Sequence, residues 1–264
     1  MAVIGCARIA HADDVVAPSS RPDPVEEIHR TRHLLALGAG ALVFASTELL
    51  FKDQLSPDRC RWCEPPGFDA DVRNALVWDD PSTARRLSNF TGYALQPLLA
   101  AGLFVLATGD APGERVRLLV DDAIPITEAV VYTQLLTQVA KFGVGRQRPY
   151  ARFAADAPPP DNEDNLSFFS GHSSLVFSIA VSSGLVAHRR GYRLEPVIWA
   201  SGLSLAAFTA YLRIAADRHY LSDVLVGSSV GALGGYLVPT LTGSLPGRFT
   251  VTPMRDGVAI TGSF

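Results

Sequence analysis

Residues 213–223 read Arg213-Ile-Ala-Ala-Asp-Arg-His219-Tyr-Leu-Ser-Asp223 and separate two long apolar runs, at about 196–212 and 222–241. If a helix begins near Tyr220, His219 and Asp223 are spaced i and i+4 and share one face of that helix. The carboxylate of Asp223 would then hold one ring nitrogen of His219 and leave the other nitrogen free to attack or to bind. A solvated helix start would show the same spacing, so the rest of the chain must decide.

The apolar segments predict the fold. Besides the two runs above, the chain has four apolar segments, at about 34–51, 90–108, 118–140 and 173–187. A membrane-spanning helix needs about 20 apolar residues, and the second, fifth and sixth of the six segments approach that length. We predict an all-α fold, a six-helix transmembrane bundle. The alternative is a soluble bundle whose core helices are apolar on all sides.

The predicted domain organisation places this bundle at 34–243, with a core at about 90–241. A polar tail at 1–33 precedes it, and a tail or short β-hairpin with its turn at Asp256-Gly257 follows at 244–264. The motif Ala10-His11-Ala12 resembles a signal-peptidase site, but no long apolar stretch precedes it. We therefore predict no cleaved signal.

Loop charges predict the orientation. With the N-terminus inside, the short inner loops are basic, in agreement with the positive-inside rule: they carry Arg115, Arg117, Arg189, Arg190 and Arg193. The loops at 52–89, 141–172 and 213–221 then meet on the outer side. We expect an integral protein of a bacterial-type inner membrane with its site on the periplasmic face; a soluble periplasmic protein is the alternative.

Composition and cysteines limit the other function classes. The net charge of −3 gives no electrostatic case for binding nucleic acid. Cys60 and Cys63 form a CxxC pair, which is compatible with a disulfide, a redox pair or half of a zinc site. No second Cys or His pair stands at zinc spacing in the sequence. A loop disulfide in an oxidising compartment is the favoured interpretation, and two free thiols are the alternative.

Basic residues at fixed spacings in the outer loops indicate a phosphate site. Arg148 and Arg213 offer planar guanidinium groups that match phosphate oxygens, and Lys141 adds a point charge. Pro149 disfavours helix at Arg148, so this side chain is expected to project from an extended turn. Ser170 and Gly171 stand where a helix begins, so the free N–H groups of that helix, the serine hydroxyl and the close backbone approach at glycine favour an anion.

Two histidines divide the predicted catalytic work. His219, oriented by Asp223, is the better nucleophile for phosphorus. His172 has no evident carboxylate partner and can protonate the leaving oxygen as a general acid. The three cations then stabilise charge on the transferring phosphoryl group. We predict that the reaction needs no metal and no cofactor.

The three motifs occur in a fixed order: Lys141-x6-Arg148-Pro149, then Ser170-Gly171-His172, then Arg213-x5-His219-x3-Asp223. This order resembles the three-part signature of the type 2 phosphatidic acid phosphatase (PAP2) superfamily, in its membrane lipid phosphate phosphatase branch. The superfamily also contains bacterial acid phosphatases and vanadium haloperoxidases. The resemblance covers about residues 90–241 and implies an all-helical core.

The resemblance also implies a role for each motif residue. His219 would form the phosphohistidine, Asp223 would be its partner and His172 would be the general acid. The phosphate-binding residues would be Lys141, Arg148, Ser170, Gly171 and Arg213. The chain departs from the family pattern at Phe169, where proline is usual, and at Leu212, where a serine would add a phosphate hydrogen bond. We expect weakened or retuned activity rather than none.

The predicted function is metal-independent hydrolysis of a phosphate or diphosphate monoester, in particular of a lipid, through a phosphohistidine. Two alternatives remain open: a soluble or secreted acid phosphatase or vanadate-dependent haloperoxidase with the same site, and a non-enzymatic membrane protein that binds phosphorylated headgroups. The expected partners are a phosphorylated lipid or small phosphomonoester and the lipid bilayer. The sequence does not determine the oligomeric state.

Several polar residues are interpreted without a catalytic role. We interpret Arg146 as a solvated loop charge, and Asp217 and Arg218 as local surface pairs, although Arg218 could touch a headgroup. Tyr150 and Tyr220 are interpreted first as interfacial aromatics. The loop at 141–172 contains Pro158-Pro159-Pro160 and is expected to be extended and exposed. Asp121 and Glu128 either pair with an arginine inside the bundle or indicate a helix outside lipid.

Overall fold

The computed structural model describes residues 24–109, 113–154, 161–245, 249–254 and 257–262. The Ala10-His11-Ala12 motif and the Pro158-Pro159-Pro160 run lie outside these ranges. The helices are α1 (Pro24–Leu49), α2 (Lys52–Leu55), α3 (Gly67–Leu76), α4 (Pro81–Phe90), α5 (Gln96–Ala107), α6 (Arg115–Val144), α7 (Pro149–Arg152), α8 (Gly171–Arg190), α9 (Glu195–Ala215) and α10 (Leu221–Thr242). A π-helical turn (Thr91–Leu95) joins α4 to α5, and a 3-10 turn (Asn162–Asn165) precedes α8.

The chain is mostly helical, as predicted, and each of the six apolar segments lies in a helix. Within the part of the chain that the structure describes, three helices are long and apolar enough to cross a membrane: Pro81–Ala107, α9 and α10. They contain the three segments that the sequence singles out by length. α1 begins at Pro24, within the predicted polar tail. Near the C-terminus, β1 (Phe249–Met254) and β2 (Gly257–Gly262) pair antiparallel; Asp256 of the expected turn lies outside the described residues.

Most of the predicted outer loop at 52–89 is helical, in α2, α3 and α4, and these helices were not predicted from the sequence. Asp80 begins α4 as its N-cap, because its side chain accepts hydrogen bonds from the backbone N–H groups of Ser82 and Thr83. Pro81 occupies the first turn, where its missing N–H costs nothing. α4 continues through the π-helical turn into α5, so the helix extends beyond the predicted apolar segment at 90–108.

α8 lies at the centre of the fold and packs against α6, α9 and α10. Its contact with α10 is close because three glycines of α10, four residues apart, face the α8 backbone. A Cβ atom on Gly227 would lie 2.6 Å from the carbonyl oxygen of Ser170, and one on Gly235 would lie 2.8 Å from that of Ser178. A Cβ atom on Gly231 would be at least as close to the carbonyl oxygen of Ser174. This packing fixes the start of α10 beside the start of α8.

The acidic residues of α6 face neighbouring helices. Asp121 pairs with Arg30 of α1, so the expected arginine partner is present. Glu128 does not pair with an arginine: one carboxylate oxygen lies 2.8 Å from His33 Nδ1, and the other accepts a hydrogen bond from Thr242.

The expectation of an extended, exposed loop at 141–172 holds for only part of its described residues: Arg152, Phe153 and Asp161 are exposed, whereas Arg146, Asn165 and Ser167 are buried. The backbone of Trp62 pairs with this loop, since Gln147 N–H donates to the Trp62 carbonyl oxygen at 3.1 Å. The amide of Asn165 donates to the Pro57 carbonyl oxygen at 2.9 Å. Cys60 and Cys63 are joined by a disulfide in the segment that makes these contacts. The loop therefore packs beneath the segment that follows α2.

Candidate active site

A cavity of about 340 Å³ opens where the ends of α6, α8, α9 and α10 meet. Six cationic side chains and two carboxylates line it, together with both predicted catalytic histidines. The cations are Lys52, Arg85, Lys141, Arg148, Arg213 and Arg218, and the carboxylates are Glu48 and Glu163. The loops predicted to share one side of the molecule therefore come together around one basic cavity.

The first motif contributes Lys141 and Arg148. Gly145 ends α6 in a left-handed conformation (φ +62°), which glycine adopts without strain, and so turns the chain after Lys141. A Cβ atom on Gly171 would lie 3.3 Å from the Lys141 ammonium, which places this charge against the start of α8. Arg148 has extended backbone angles (φ −71°, ψ 150°), as the following proline predicts.

The guanidinium of Arg148 is only partly engaged by protein. Its Nε donates to the Glu163 carbonyl oxygen at 2.8 Å, and its buried Nη1 has no hydrogen-bond partner among the described residues. Only 5% of Arg148 is exposed. An unpaired buried donor on a cation is costly, and an anion in the cavity would relieve that cost.

The second motif begins α8, with Ser170 as its N-cap. The Ser170 hydroxyl accepts hydrogen bonds from Ser173 N–H and from the Ser173 hydroxyl. Ser170 is fully buried and does not line the cavity, unlike Gly171 and His172. The structure thus places Ser170 as a helix cap, away from the predicted phosphate-contacting position. Phe169 before it is buried as well.

The third motif turns sharply between α9 and α10. Asp217 takes a left-handed conformation (φ 54°), which aspartate tolerates better than most residues. The N–H groups of Arg218 and His219 both donate to the Arg213 carbonyl oxygen.

The side chain of Arg213 is buried, with 4% exposed, and its Nη1 donates to the Ser88 hydroxyl at 2.8 Å. Its buried Nε has no partner among the described residues. Leu212 points into an apolar cluster with Ala84, away from the anion site.

His219 is oriented differently from the sequence prediction. Its Nδ1 lies 2.8 Å from the Ser167 carbonyl oxygen and 3.7 Å from the nearer carboxylate oxygen of Asp223. Asp223 therefore does not hold the ring by a hydrogen bond, because the backbone carbonyl takes that place. A carbonyl oxygen can only accept, so Nδ1 carries the proton and the lone pair of Nε2 is left free.

The environment of His219 favours its neutral form. The residue is 1% exposed. Burial, followed by the positive charges of Arg148, Arg213 and Lys141, lowers the pKa of His219 well below its ordinary value. A neutral imidazole with a free Nε2 is the form that can attack phosphorus.

Asp223 instead belongs to a buried ion network that the sequence interpretation missed. Arg146 donates to Asp223 Oδ1 at 2.5 Å and to Asp69 Oδ2 at 2.7 Å, and the three residues are 1% exposed or less. The interpretation of Arg146 as a solvated loop charge is wrong. Asp223 Oδ2 also accepts from the Ser167 hydroxyl at 2.6 Å, and Ser167 is the residue whose carbonyl holds His219.

Aromatic rings complete this network. The Arg146 guanidinium carbon lies 3.9 Å from the ring centre of Trp62 and 4.3 Å from that of Tyr220. Such cation–π contacts stabilise a desolvated arginine. Tyr220 is 1% exposed, so its interpretation as an interfacial aromatic is wrong.

The interpretation of Asp217 and Arg218 as surface pairs is wrong as well. Asp217 is buried against Arg73, and Arg218 lines the cavity.

His172 also has a partner that sequence reasoning missed. Its Nε2 lies 2.9 Å from the Asn89 amide oxygen, and its ring packs 4.4 Å from the ring of Tyr93. Both partners come from the helix Pro81–Ala107. The only sequence signal for Asn89 is a polar residue directly before an apolar segment, which does not identify a histidine partner.

Among the described residues, no group of three or more His, Cys, Asp and Glu side chains is placed to hold a metal ion.

Residues 122–245 match the family model of the PAP2 superfamily, and this range contains all three motifs. This match confirms the resemblance to the PAP2 superfamily. It begins at residue 122, whereas the PAP2-like core predicted from the sequence begins at about 90.

Named relatives match part of this chain. Phospholipid phosphatase 2 of Rattus norvegicus is 29% identical over 125 residues, which cover 38% of this chain and 45% of that protein. Lipid A 1-phosphatase of Porphyromonas gingivalis is 31% identical over 121 residues, which cover 46% of this chain and 23% of that protein. The chain spans less than half the length of these relatives.

Among solved structures, the crystal structure of the first transmembrane PAP2 type phosphatidylglycerolphosphate phosphatase from Bacillus subtilis aligns with a TM-score of 0.45 at 17% identity. The alignment covers 83% of this chain and 98% of that chain.

Proposed function

We propose that this protein hydrolyses the phosphate monoester of a lipid through a phosphohistidine formed on His219. The observation that carries the proposal is the position of a nucleophile in a basic cavity suited to an anion. Nδ1 of His219 is fixed by a carbonyl, and the ring lines a cavity shared with Lys141, Arg148 and Arg213. Buried nitrogens on both arginines have no partner among the described residues.

The proposed chemistry proceeds in two steps. Nε2 of His219 attacks phosphorus and the bond from phosphorus to the ester oxygen breaks. His172 acts in its protonated, imidazolium form: it gives a proton to the leaving alkoxide and becomes neutral. Water then attacks the phosphohistidine and loses a proton to His172, which releases inorganic phosphate and restores both imidazoles. Lys141, Arg148 and Arg213 stabilise the charge of the phosphoryl oxygens in both steps.

A second cavity supports a lipid as the substrate. This apolar groove of about 550 Å³ lies between the π-helical turn, α5, α6 and α8. Its lining is almost entirely apolar, with Ala100, Phe104, Ala123 and Ile126 among its residues, and it shares Tyr93 with the basic cavity. A phosphate in the basic cavity can therefore carry a hydrocarbon chain that extends into the groove.

The membrane arrangement is part of the proposal. The three candidate spans and the exposed apolar side chains of α1 and α6 support a membrane bundle of six helices, in which α8 is the central, buried helix. The basic inner loops favour a cytoplasmic N-terminus, so we propose that the site faces the outer side of a bacterial-type inner membrane.

The test is phosphate release from a panel of lipid phosphates and water-soluble phosphomonoesters by the purified protein with EDTA. We expect release that vanadate inhibits and that is lost in His219→Ala, with a phosphorylated histidine trapped at residue 219 by acid-free quenching. Binding of phosphorylated lipid without release would favour the non-enzymatic alternative. Vanadate-dependent bromination in place of release would favour a haloperoxidase.

Ala123→Trp tests the lipid groove. The indole would fill the groove between α5 and α6, so we expect a loss of about tenfold in kcat/KM for a long-chain lipid phosphate and little change for p-nitrophenyl phosphate. Ala41→Trp is the matched control, because Ala41 is exposed on α1 and does not line the groove. Equal losses for both substrates would argue against a chain in the groove.

A further inference from the structure

Residues 88–93 belong to none of the three motifs, yet they contact side chains of two of them. We call this segment, which joins the end of α4 to the π-helical turn, the histidine cradle. The amide oxygen of Asn89 lies 2.9 Å from His172 Nε2. The hydroxyl of Ser88 accepts a hydrogen bond from Arg213 Nη1 at 2.8 Å. The two-step reaction described above gives the histidine cradle no task.

The histidine cradle is fixed to α9 on both sides of Asn89. Ser88, directly before it, is fully buried and bonded to Arg213 in the last turn of α9. Two residues after Asn89, the hydroxyl of Thr91 accepts a hydrogen bond from the buried hydroxyl of Thr209 at 2.8 Å. The backbone that carries Asn89 is therefore held in place, and its side chain can orient a partner.

The histidine cradle also fits the imidazole of His172 in shape. The ring centre of Tyr93 lies 4.4 Å from that of His172. A Cβ atom on Gly92 would lie 3.2 Å from His172 Cδ2, which is closer than an ordinary contact, so glycine at this position lets the ring approach the helix. One hydrogen bond and two packing contacts therefore restrict the orientation of the ring, which is buried.

The hydrogen bond to Asn89 determines which ring nitrogen of His172 can exchange a proton. An amide oxygen only accepts, so Nε2 keeps its proton in both the neutral and the protonated ring. Nδ1 is then the nitrogen that gains and loses the catalytic proton. His219 is held in the opposite way, because its Nδ1 bonds to the Ser167 carbonyl oxygen. The two imidazoles therefore offer different nitrogens to the reaction.

An amide suits this position better than a carboxylate does. Lys141, Arg148 and Arg213, which we call the motif cations, line the same cavity as His172 and Asn89. A protonated imidazole among these charges needs a hydrogen-bond acceptor. A carboxylate would serve, but it would also attract the motif cations and compete with the phosphate. The Asn89 oxygen stabilises the imidazolium without adding a negative charge to the cavity.

We propose that Asn89 is a positioning residue for the general acid, and that it directs Nδ1 of His172 toward the leaving oxygen. This inference rests on the proposed function. In the first step, the proton on Nδ1 passes to the ester oxygen as the bond from that oxygen to phosphorus breaks. In the second step, the attacking water gives a proton back to Nδ1. Nε2 keeps its own proton, and donates it to the Asn89 oxygen, throughout the cycle.

The experiment varies the basicity of the leaving group while the hydrocarbon chain stays the same. p-Decylbenzyl phosphate releases a strongly basic alkoxide, which needs the proton of His172. p-Decyl-o-nitrophenyl phosphate releases a weakly basic phenolate, which leaves without it. Asn89→Ala removes the acceptor, so we expect kcat/KM to fall by about 10- to 100-fold for the benzyl ester. For the nitrophenyl ester we expect a fall of less than about threefold.

Three further variants separate positioning from a general structural role. Asn89→Asp keeps an acceptor oxygen, so the ratio of the two kcat/KM values should stay within about threefold of the wild-type ratio, although the new charge lowers both values. Gly92→Ala displaces the His172 ring and should lower kcat/KM for the benzyl ester selectively, as Asn89→Ala does. Asn74→Ala, which changes an exposed asparagine of α3 outside the cavity, should leave both esters unchanged.

The outcomes separate this inference from the proposed function. If the wild type releases phosphate from neither ester, the proposed function fails and the positioning role with it. If the wild type hydrolyses both esters and Asn89→Ala slows both equally, the positioning role alone is overturned, because Asn89 would then act on the phosphate or on the fold. Unchanged hydrolysis of the benzyl ester by Asn89→Ala would overturn it as well.

Discussion

Arg146 stabilises the site without reaching the cavity. It joins Asp69 of α3 to Asp223 of α10. Among the described residues, the other hydrogen bonds to these two carboxylates come from hydroxyl and backbone donors. Removing one partner of a buried ion network leaves uncompensated charge, which costs about 3–5 kcal/mol. We therefore expect Arg146→Gln to lower the free energy of unfolding by that amount, measured by denaturation in detergent.

Arg152→Gln is the matched control for this prediction. Arg152 also pairs with a carboxylate, Glu64, but both side chains are substantially exposed. An exposed pair contributes about 0–1 kcal/mol, so this variant should unfold almost as the wild type does. Similar losses in the two variants would show that Arg146 acts as an ordinary surface charge.

The protonation of His219 gives a second prediction at the scale of one residue. Burial and the three motif cations lower its pKa, so it should remain neutral at pH values where a free histidine, with a pKa of about 6.5, is mostly protonated. Deuterium exchange at the imidazole C2 carbon, followed by mass spectrometry, reports this titration without substrate. We expect a midpoint below pH 6.5, and a midpoint above it would contradict the proposed environment.

At the scale of helices, the close contact between α8 and α10 aligns the two proposed catalytic segments. Ser170 N–H, at the start of α8, donates to the Asp223 carbonyl oxygen at 3.0 Å. Gly231 lies about two turns further along α10 than Asp223, where a Cβ atom would collide with the Ser174 backbone. Gly231→Ala should therefore cost about 1–3 kcal/mol of stability through overpacking and lower kcat by separating the two helix starts.

Gly102→Ala is the control for this variant. Gly102 lies within α5, and a Cβ atom there would meet nothing within 4 Å. Because alanine is the better helix former, this variant should be more stable by roughly 0.5–1 kcal/mol. Thermal unfolding of both variants in one detergent checks the pair, and a stabilised Gly231→Ala would rule out the close packing as the cause.

The sequence predicts the helices of the core well, but it does not predict the groups that orient the two histidines. Hydrophobic runs identify the apolar segments because a buried or lipid-facing helix must be apolar along its length. Lys141, Arg148, Arg213 and His219 are predicted to share one site because the predicted topology brings the loops that carry their motifs to one side of the bundle. Ser167 and Asn89 could not be predicted, since their contacts with His219 and His172 depend on how distant segments pack.

At the scale of the whole molecule, the segment between α2 and α4 closes over the motif loops. Trp62 packs on Arg146, and its backbone pairs with the loop that carries Arg146. The disulfide between Cys60 and Cys63 restrains this tryptophan. A covalent loop this short restricts the unfolded chain by about 2 kcal/mol in the chain-entropy description. The double variant Cys60→Ser, Cys63→Ser should lose that stability.

Activity should respond as well, because a looser Trp62 exposes the Arg146 network to water and weakens the hold of Asp223 on Ser167, whose carbonyl orients His219. We expect kcat to fall by several-fold while KM for a lipid phosphate stays similar, since the cations of the cavity are untouched. Dithiothreitol should produce the same fall in the wild type and none in the double variant. A wild type whose kcat is insensitive to reduction would show that the disulfide stabilises the segment without affecting the site.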